Sequence, residues 1–289
     1  MMSFRAHLYL AVLTWALLST VSTVAAADPN ESWIHPKCFQ LPSDKLGPFV
    51  RLADGAVLAI DQNQVIVSRD EGRTWVASPL LAPDRKGKLC NVGENRALLR
   101  TRAGPIILAF LNVNETVWCW DEQRKAASGR LPTYVVRSLD DGKTWQDLQM
   151  LHEAWTGDIR DMIETRDGHI VLSSMNMLAD PTRHAIVTYS SSDQGKTWTR
   201  SNILDLGGHG HHGGAMEATL AELADGRLWM LIRTNWDRYW EAFSNDNGVS
   251  WRTIGPAHIA ASSSPAQLAR LASGRLVLVW NRLYPEGKS

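Results

Sequence analysis

The sequence predicts an all-β protein assembled from repeated antiparallel sheets. Two elements recur along its 289 residues: an eight-residue turn motif that occurs four times, and a glycine turn leading into an apolar strand that occurs five times. No helical heptads or long amphipathic runs compete with these short strands. Such repetition indicates that one structural unit is used several times.

The turn motif has the form S-x-D-x-G-x-[ST]-W. It occurs at residues 68–75, 138–145, 191–198 and 244–251, which we call the boxes. Serine and aspartate can hydrogen-bond to nearby backbone N–H groups, and glycine accepts a left-handed conformation, so each box is predicted to be a tight turn. A strand-like run precedes each box, and we expect all four closing tryptophans to be buried between strands.

The second element is a short glycine turn followed by an almost continuously apolar strand. Strands of this composition are buried on both faces. The spacing of the turns suits a four-stranded propeller blade, so a β-propeller is predicted. No box follows the fifth turn, which predicts about five started blades and a truncated ring. The turn glycines are Gly55, Gly104, Gly168, Gly226 and Gly274.

The boxes resemble the Asp box of the sialidase (neuraminidase) superfamily, whose members are BNR-repeat β-propellers. In that family the box joins the outer two strands of a blade, on the face away from the active site, and the complete propeller has six blades. The resemblance implies an incomplete sialidase-like β-propeller over residues 28–289. It also implies that Asp70, Asp140, Asp193 and Asp246 are scaffold residues without a catalytic role.

The first 27 residues have the pattern of a secretory signal peptide. Arg5 supplies a positive charge, residues 8–18 form an apolar run too short to span a bilayer, and residues 25–27 offer a cleavage site. The sequence therefore predicts a secreted or periplasmic protein with no membrane span after cleavage. An uncleaved anchor is the alternative.

The composition argues against several classes of partner. Thirty basic and thirty acidic residues give no net charge and no electrostatic reason to expect binding to nucleic acid. Cys38, Cys90 and Cys119 allow at most one disulfide bond, match no metal site, and are expected to be buried unpaired thiols. Nothing in the composition indicates a particular oligomeric state.

A histidine cluster lies in the glycine-rich stretch before the fourth unit. His209, His211 and His212 have a spacing that can bind zinc. No acidic partner completes a site, so neither a metal nor another cofactor is predicted. We expect these histidines to lie in a loop at the mouth of the pocket.

Glu217 and Arg233 are the strongest candidates for a functional site. They flank the turn at Gly226, and two antiparallel strands would place them side by side near the propeller axis. This stretch resembles the sialidase blade in which a glutamate precedes an arginine on the next strand. The resemblance implies that Glu217 is the base for a tyrosine nucleophile and that Arg233 binds the substrate carboxylate. The alternative is a structural ion pair of Arg233 with Glu217 or Glu222.

The rest of the family's site matches less closely. Lys45 stands where the family has its first arginine, with Arg51 as a nearby substitute, and Arg96 holds a comparable place in the next unit. The family's acid lies in a loop that is nearly absent here, so Asp121, in a long insertion, is the candidate acid. The family's third arginine and its tyrosine would lie beyond the last residue.

A further polar group precedes the third glycine turn. Asp158, Arg160 and Asp161 lie close together in one strand. Two interpretations remain open for them: side chains that face the propeller axis, and ordinary polarity at a strand end.

The resemblance implies an exported glycoside hydrolase of the exo-α-sialidase type. Its partner would be a sialylated or otherwise acidic glycan, from which it would remove terminal sialic acid or a related acidic sugar. The alternative is a non-catalytic glycan-binding Asp-box propeller, which the unusual first blade favours. A purely structural propeller is the third possibility, and the pairing of Glu217 with Arg233 argues against it.

Overall fold

The computed structural model describes residues 36, 42–80, 90–123, 126–179, 181–208 and 213–282. The expected signal peptide, Cys38 and the three histidines at 209, 211 and 212 lie outside the described residues. Within the described ranges, the single helical element is a 3₁₀ turn at Val113–Glu115, and the remaining regular structure is strand. The all-β prediction is confirmed.

Four antiparallel sheets of four strands each follow one another along the chain. The first sheet consists of β1 (Phe49–Arg51), β2 (Val57–Asp61), β3 (Gln64–Ser68) and β4 (Val76–Pro79). The second sheet consists of β5 (Val92–Arg100) and β6 (Ile106–Asn112) and then, after an inserted hairpin of β7 (Val117–Asp121) and β8 (Ala126–Arg130), of β9 (Thr133–Ser138) and β10 (Gln146–His152).

The later sheets repeat this order. The third sheet consists of β11 (Thr156–Glu164), β12 (Ile170–Ala179), β13 (Thr182–Ser191) and β14 (Thr199–Arg200). The fourth sheet consists of β15 (Met216–Glu222), β16 (Leu228–Arg233), β17 (Arg238–Ser244) and β18 (Arg252–Ala260). A two-stranded sheet of β19 (Gln267–Arg270) and β20 (Leu276–Val279) follows.

The first strands of consecutive sheets contact one another. β1 lies against β5, β5 against β11, β11 against β15, and β15 against β19. They are therefore the innermost strands of consecutive blades around a common axis, and the fold is a β-propeller. The second strands of the four-stranded sheets are largely buried, and every residue of β6 is buried. This burial on both faces explains the apolar runs after the first four turn glycines. The expectation is wrong for the fifth run, because Val277 and Val279 of β20 are exposed.

Each box forms the turn between the third and fourth strands of its sheet. In the third box, Ser191 Oγ accepts the N–H of Gly195 at 2.8 Å. The Asp193 carboxylate accepts the N–H of Thr197 at 2.9 Å and its hydroxyl at 2.7 Å. The other three boxes repeat these contacts. The box aspartates therefore hold turns together, as expected for scaffold residues.

The expectation that all four box tryptophans are buried is wrong for three of them. Trp251 is 2% exposed, and its indole N–H donates to Thr188 Oγ1 of the preceding sheet at 2.8 Å. Trp75, Trp145 and Trp198 are only half-buried. In the first and third boxes the indole N–H instead donates to the glycine carbonyl of its own box, so the ring covers its own turn.

The glycine turns and the boxes lie at the same end of the sheets. Arg69 in the first box pairs with Asp54 in the first glycine turn at 2.6 Å. Asn247 in the fourth box donates to Asp167 in the third glycine turn at 2.9 Å. The opposite end therefore carries the starts of the innermost strands, the ends of the second strands, and the β7–β8 hairpin.

The cysteine prediction is correct in part. Cys90 is buried, whereas Cys119 is exposed on β7. Across the described part of the chain, no helix has the length and apolarity needed to cross a membrane. The same residues contain no group of three histidine, cysteine or acidic side chains arranged to hold a metal ion.

Candidate functional site

The starts of the innermost strands converge on two adjoining cavities, at the end of the propeller away from the boxes. Each has a volume of about 300 Å³, at the lower end of the range for small-molecule sites. Both cavities include Gly47, Glu94 and Arg96. The first also includes Lys45 and Asp61. The second draws on β11 and β19 through Asp158, Arg160 and Gln267.

Glu217 and Arg233 form an ion pair close to Asp158, and neither is among the described residues that line the two cavities. Arg233 Nη1 lies 2.8 and 2.6 Å from the two carboxylate oxygens of Glu217, and the side chains are 21% and 14% exposed. The register between β15 and β16 slips at Glu217, with Met216 opposite Arg233 and Ala218 opposite Ile232. Such a bulge re-aims a side chain. The two candidates therefore lie side by side, as the sequence predicted.

The ion pair occupies only one part of the Arg233 guanidinium. Its Nε and Nη2 atoms each lie 3.4 Å from Ser263 Oγ. These contacts are longer than a typical N–H···O hydrogen bond of about 2.9 Å. The Nε–Nη2 edge is therefore the part of the guanidinium that can bind a ligand carboxylate through two parallel hydrogen bonds.

Lys45 and Arg96 bring positive charge to the first cavity from two different blades. Lys45 Nζ lies 2.8 Å from Asp61 Oδ2. Arg96 donates from Nη2 to the Ile60 carbonyl at 2.7 Å and from Nη1 to the Gly93 carbonyl at 3.1 Å. Burial lowers the pKa of Arg96, although the nearby Asp61 carboxylate opposes this. Both residues predicted to bind substrate thus reach the cavity wall.

Two residues considered from the sequence lie elsewhere. Arg51 pairs with Glu71 of the first box at 2.9 Å, at the end of the sheet away from the cavities. Asp121 is exposed at the end of β7 and is not among the described residues that line either cavity. The structure therefore places Asp121 away from both cavities.

Asp158 is the buried carboxyl group at the second cavity, where the other carboxyl group, that of Glu94, is exposed. Asp158 is only 5% exposed, and its Oδ1 has no hydrogen-bond partner among the described residues. Arg160 Nη1 lies 3.8 Å from the other oxygen. Burial raises the pKa of Asp158 to about 7; the charges of Arg160 and Arg233 oppose the rise, and Glu217 reinforces it. Asp158 is thus close enough to both members of the ion pair to respond to their charges.

Asp161 belongs to the framework that supports the site. Its Oδ2 accepts hydrogen bonds from the Thr219 hydroxyl at 2.7 Å and from the Leu220 N–H at 2.8 Å. Thr219 Oγ1 in turn accepts the N–H of Leu268 at 2.9 Å. This chain of contacts joins β11, β15 and β19, the three innermost strands that carry Asp158, Glu217 and Gln267.

Sequence analysis missed three residues that line the cavities. Asp61 ends β2, Glu94 lies in β5, and Gln267 begins β19. A usable signal was present for the last two. Like Asp158 and Glu217, they lie in the first strand of a repeat, shortly before its turn glycine. An alignment of the repeats on that glycine would have grouped them.

Comparisons with known proteins agree with this architecture. A family model described as a BNR repeat-like domain matches residues 61–288. A search of curated proteins finds no match. Among solved structures, a protein of unknown function from Dyadobacter fermentans superposes with a TM-score of 0.60 at 19% identity, over 82% of this chain and 74% of that chain.

Two enzymes of known type share the fold. The NanB sialidase of Streptococcus pneumoniae superposes with a TM-score of 0.51 at 14% identity, over 82% of this chain and 56% of that chain. The α-L-arabinanase of Penicillium chrysogenum superposes with a TM-score of 0.51 at 14% identity, over 80% of this chain and 73% of that chain. The chain therefore has a glycoside hydrolase-like propeller fold. It spans just over half the length of the pneumococcal enzyme.

Proposed function

The chain belongs to the BNR repeat-like domain family, and on that premise we propose that it is an exo-α-sialidase-type glycoside hydrolase. Its substrate is a glycan that ends in sialic acid or a related acidic sugar. The observation that carries the proposal is the Nε–Nη2 edge of Arg233, held beside the Glu217 carboxylate at the axial end of the propeller. A sugar carboxylate fits such an edge because a guanidinium pairs with it in bidentate geometry.

The residues around the edge support an anionic ligand. Lys45, Arg96 and Arg160 line the two cavities and add positive charge from three blades. In the proposed roles, Arg233 binds the sugar carboxylate and Lys45 and Arg96 strengthen that binding. Glu217 is the base that serves the nucleophile. Asp121 could act as the acid only if the β7–β8 hairpin carried it over the cavities.

A non-catalytic glycan-binding propeller is the second candidate. The ion pair itself favours it, because both carboxylate oxygens of Glu217 lie within 2.8 Å of Arg233 Nη1. A carboxylate held in this way fixes the position of the arginine, which a binding site needs as much as an enzyme does. This candidate predicts binding of the acidic sugar without turnover.

Export is part of the proposal. It rests on the pattern of residues 1–27, with Arg5, the apolar run and the cleavage site at residues 25–27. Expression with the native leader in a secreting host should release a protein whose first residue is Asp28. An intact leader on the recovered protein would contradict cleavage.

One experiment separates the two candidates. The purified wild-type protein is assayed for hydrolysis of an aryl sialoside and, as a neutral control, an aryl arabinofuranoside. Calorimetry compares a non-hydrolysable sialic acid analogue with its methyl ester. The enzyme predicts hydrolysis of the sialoside and weaker binding of the ester, because the ester loses the charge-assisted hydrogen bonds. Binding without hydrolysis supports the glycan-binding module. If the protein shows no binding and no hydrolysis, both candidate functions are overturned.

A further inference from the structure

Asp158 combines three properties at the second cavity. It is buried, and it lines the cavity together with Arg96 and Arg160. Its Oδ1 makes no hydrogen bond within the described ranges. A buried polar atom without a partner is costly, so such atoms in native proteins call for an explanation. A proton on Asp158 lowers that cost, because a neutral carboxyl group is less costly to bury than a carboxylate.

The charged side chains at the second cavity and in the adjacent ion pair balance one another. The positive groups are Arg96, Arg160 and Arg233, and the negative groups are Glu94, Asp158 and Glu217. One proton on Asp158 leaves a single net positive charge, which matches a ligand that carries one carboxylate.

We propose that Asp158 is the catalytic acid of this site and protonates the glycosidic oxygen of the substrate. The inference rests on the proposed hydrolase function and replaces Asp121 in that role. A general acid must reach the leaving oxygen and hold a proton at working pH. Asp158 lies at the cavity wall, and burial raises its pKa to about 7 against the charge of Arg160. Asp121 is exposed at the end of β7.

The chemical step balances without a further reagent. The O–H bond of Asp158 breaks, and its proton goes to the glycosidic oxygen. The bond from that oxygen to the anomeric carbon breaks with both electrons kept by oxygen, so an alcohol leaves. Water adds to the anomeric carbon and gives a proton to the Asp158 carboxylate, which regenerates the acid. The net change is the addition of one water molecule across the glycosidic bond.

The test uses the dependence on the leaving group. A catalytic acid matters most for a poor leaving group, so Asp158→Asn should lose roughly 10²- to 10⁴-fold of kcat on an alkyl sialoside. Its loss on an aryl sialoside should be much smaller, because a phenolate leaves without protonation. Binding of the non-hydrolysable analogue should persist. The matched control Asp121→Asn should keep a kcat close to that of the wild type on both the alkyl and the aryl sialoside.

The pH profile supplies a second measurement that does not depend on the folding of Asp158→Asn. Arg160 holds the Asp158 pKa down, so Arg160→Gln should move the basic limb of kcat/KM to higher pH. Four other charged groups around Asp158, Glu94, Arg96, Glu217 and Arg233, stay unchanged in this variant. An unmoved basic limb would overturn the assignment.

The outcomes separate this inference from the proposed function. If the wild type hydrolyses neither sialoside, both fail together. If the wild type is active but Asp158→Asn loses the same factor on both substrates, or loses nothing, only the assignment of Asp158 fails. If Asp121→Asn instead loses more kcat on the alkyl sialoside than on the aryl sialoside, Asp121 on the β7–β8 hairpin is the catalytic acid.

Discussion

Thr219 Oγ1 donates a hydrogen bond to Asp161 Oδ2 at 2.7 Å, across the boundary between the third and fourth blades. The Leu220 N–H donates to the same oxygen at 2.8 Å. Burial nevertheless raises the pKa of Asp161 to about 6, since these hydrogen bonds only partly offset the loss of hydration. The carboxyl group that joins the blades is therefore also a pH-dependent element of stability.

The sign of this pH dependence follows from the pKa of Asp161, about 6 in the folded state, against an ordinary value of 3.8. Between these values, the folded protein keeps a proton that the unfolded chain has lost. Raising the pH through this window therefore lowers the free energy of unfolding. Above the window, the ionised buried carboxylate costs on the order of 3 kcal/mol.

Asp161→Asn tests this prediction because it keeps an oxygen acceptor and removes the titration. Urea unfolding of both proteins is measured from about pH 4 to about pH 8. The free energy of unfolding of the wild type minus that of the variant should fall as the pH rises to about 6 and stay constant above. Other titrating groups, such as Asp70 with its pKa lowered to about 2, contribute equally to the pH dependence of both proteins, so their contributions cancel in this difference. A difference that rises with pH would contradict the prediction.

The box glycines are required where one blade packs on the preceding one. Gly248 has φ +80°, and a Cβ there would lie 2.7 Å from Val171 Cγ1 in the third sheet. Gly226 has φ +90° with no atom within 4 Å of such a Cβ. Alanine at either position incurs left-handed strain of about 1–2 kcal/mol. We expect Gly248→Ala to cost about 1–3 kcal/mol more, because it also overpacks the blade contact.

Thermal and urea unfolding of the two alanine variants measure that difference directly. Gly226→Ala is the matched control, since it carries the backbone strain without the clash. Equal destabilisation of the two variants would show that the box does not press on the neighbouring blade.

Arg233→Lys should weaken binding of the non-hydrolysable sialic acid analogue. Lysine keeps the charge but cannot form two parallel hydrogen bonds to a carboxylate. Loss of such a contact costs about 2–5 kcal/mol when the partner charge stays buried. Calorimetry reports the change. Arg227→Lys is the control, because Arg227 pairs with Asp225 at 2.8 Å in the glycine turn at the opposite end of the blade. Unchanged affinity in Arg233→Lys would remove this residue from the site.

Glu217→Gln should lower kcat and leave binding of the same analogue largely intact. Glutamine keeps the shape of the side chain but cannot serve as the base, so the interaction is lost in the reaction and not in the ground state. Glu222→Gln is the control on the same strand, since Glu222 pairs with Arg166 at 2.9 Å near the glycine turns. Steady-state kinetics and calorimetry together separate the two effects. A loss of binding with unchanged kcat would indicate a structural ion pair with Arg233.

The repeats were readable from the sequence because each is a local structure. A box holds its turn through contacts within eight residues, as Ser191, Asp193 and Thr197 show. The apolar strands after the turn glycines likewise predict burial on both faces. The all-β propeller followed from these patterns, and so did the pairing of Glu217 with Arg233, because the two lie on adjacent strands of one hairpin.

The composition of the cavities depends on contacts between blades, and no local pattern encodes those. Asp158, Glu94 and Gln267 come together only when the innermost strands of three blades meet at the axis. The packing of these strands also decides which carboxyl groups are buried. Asp158 is desolvated at the cavity wall, whereas Asp121 stays hydrated on an exposed hairpin. Desolvation depends on the assembled neighbours and not on the residue type. For that reason the choice of acid could be made only from the tertiary structure.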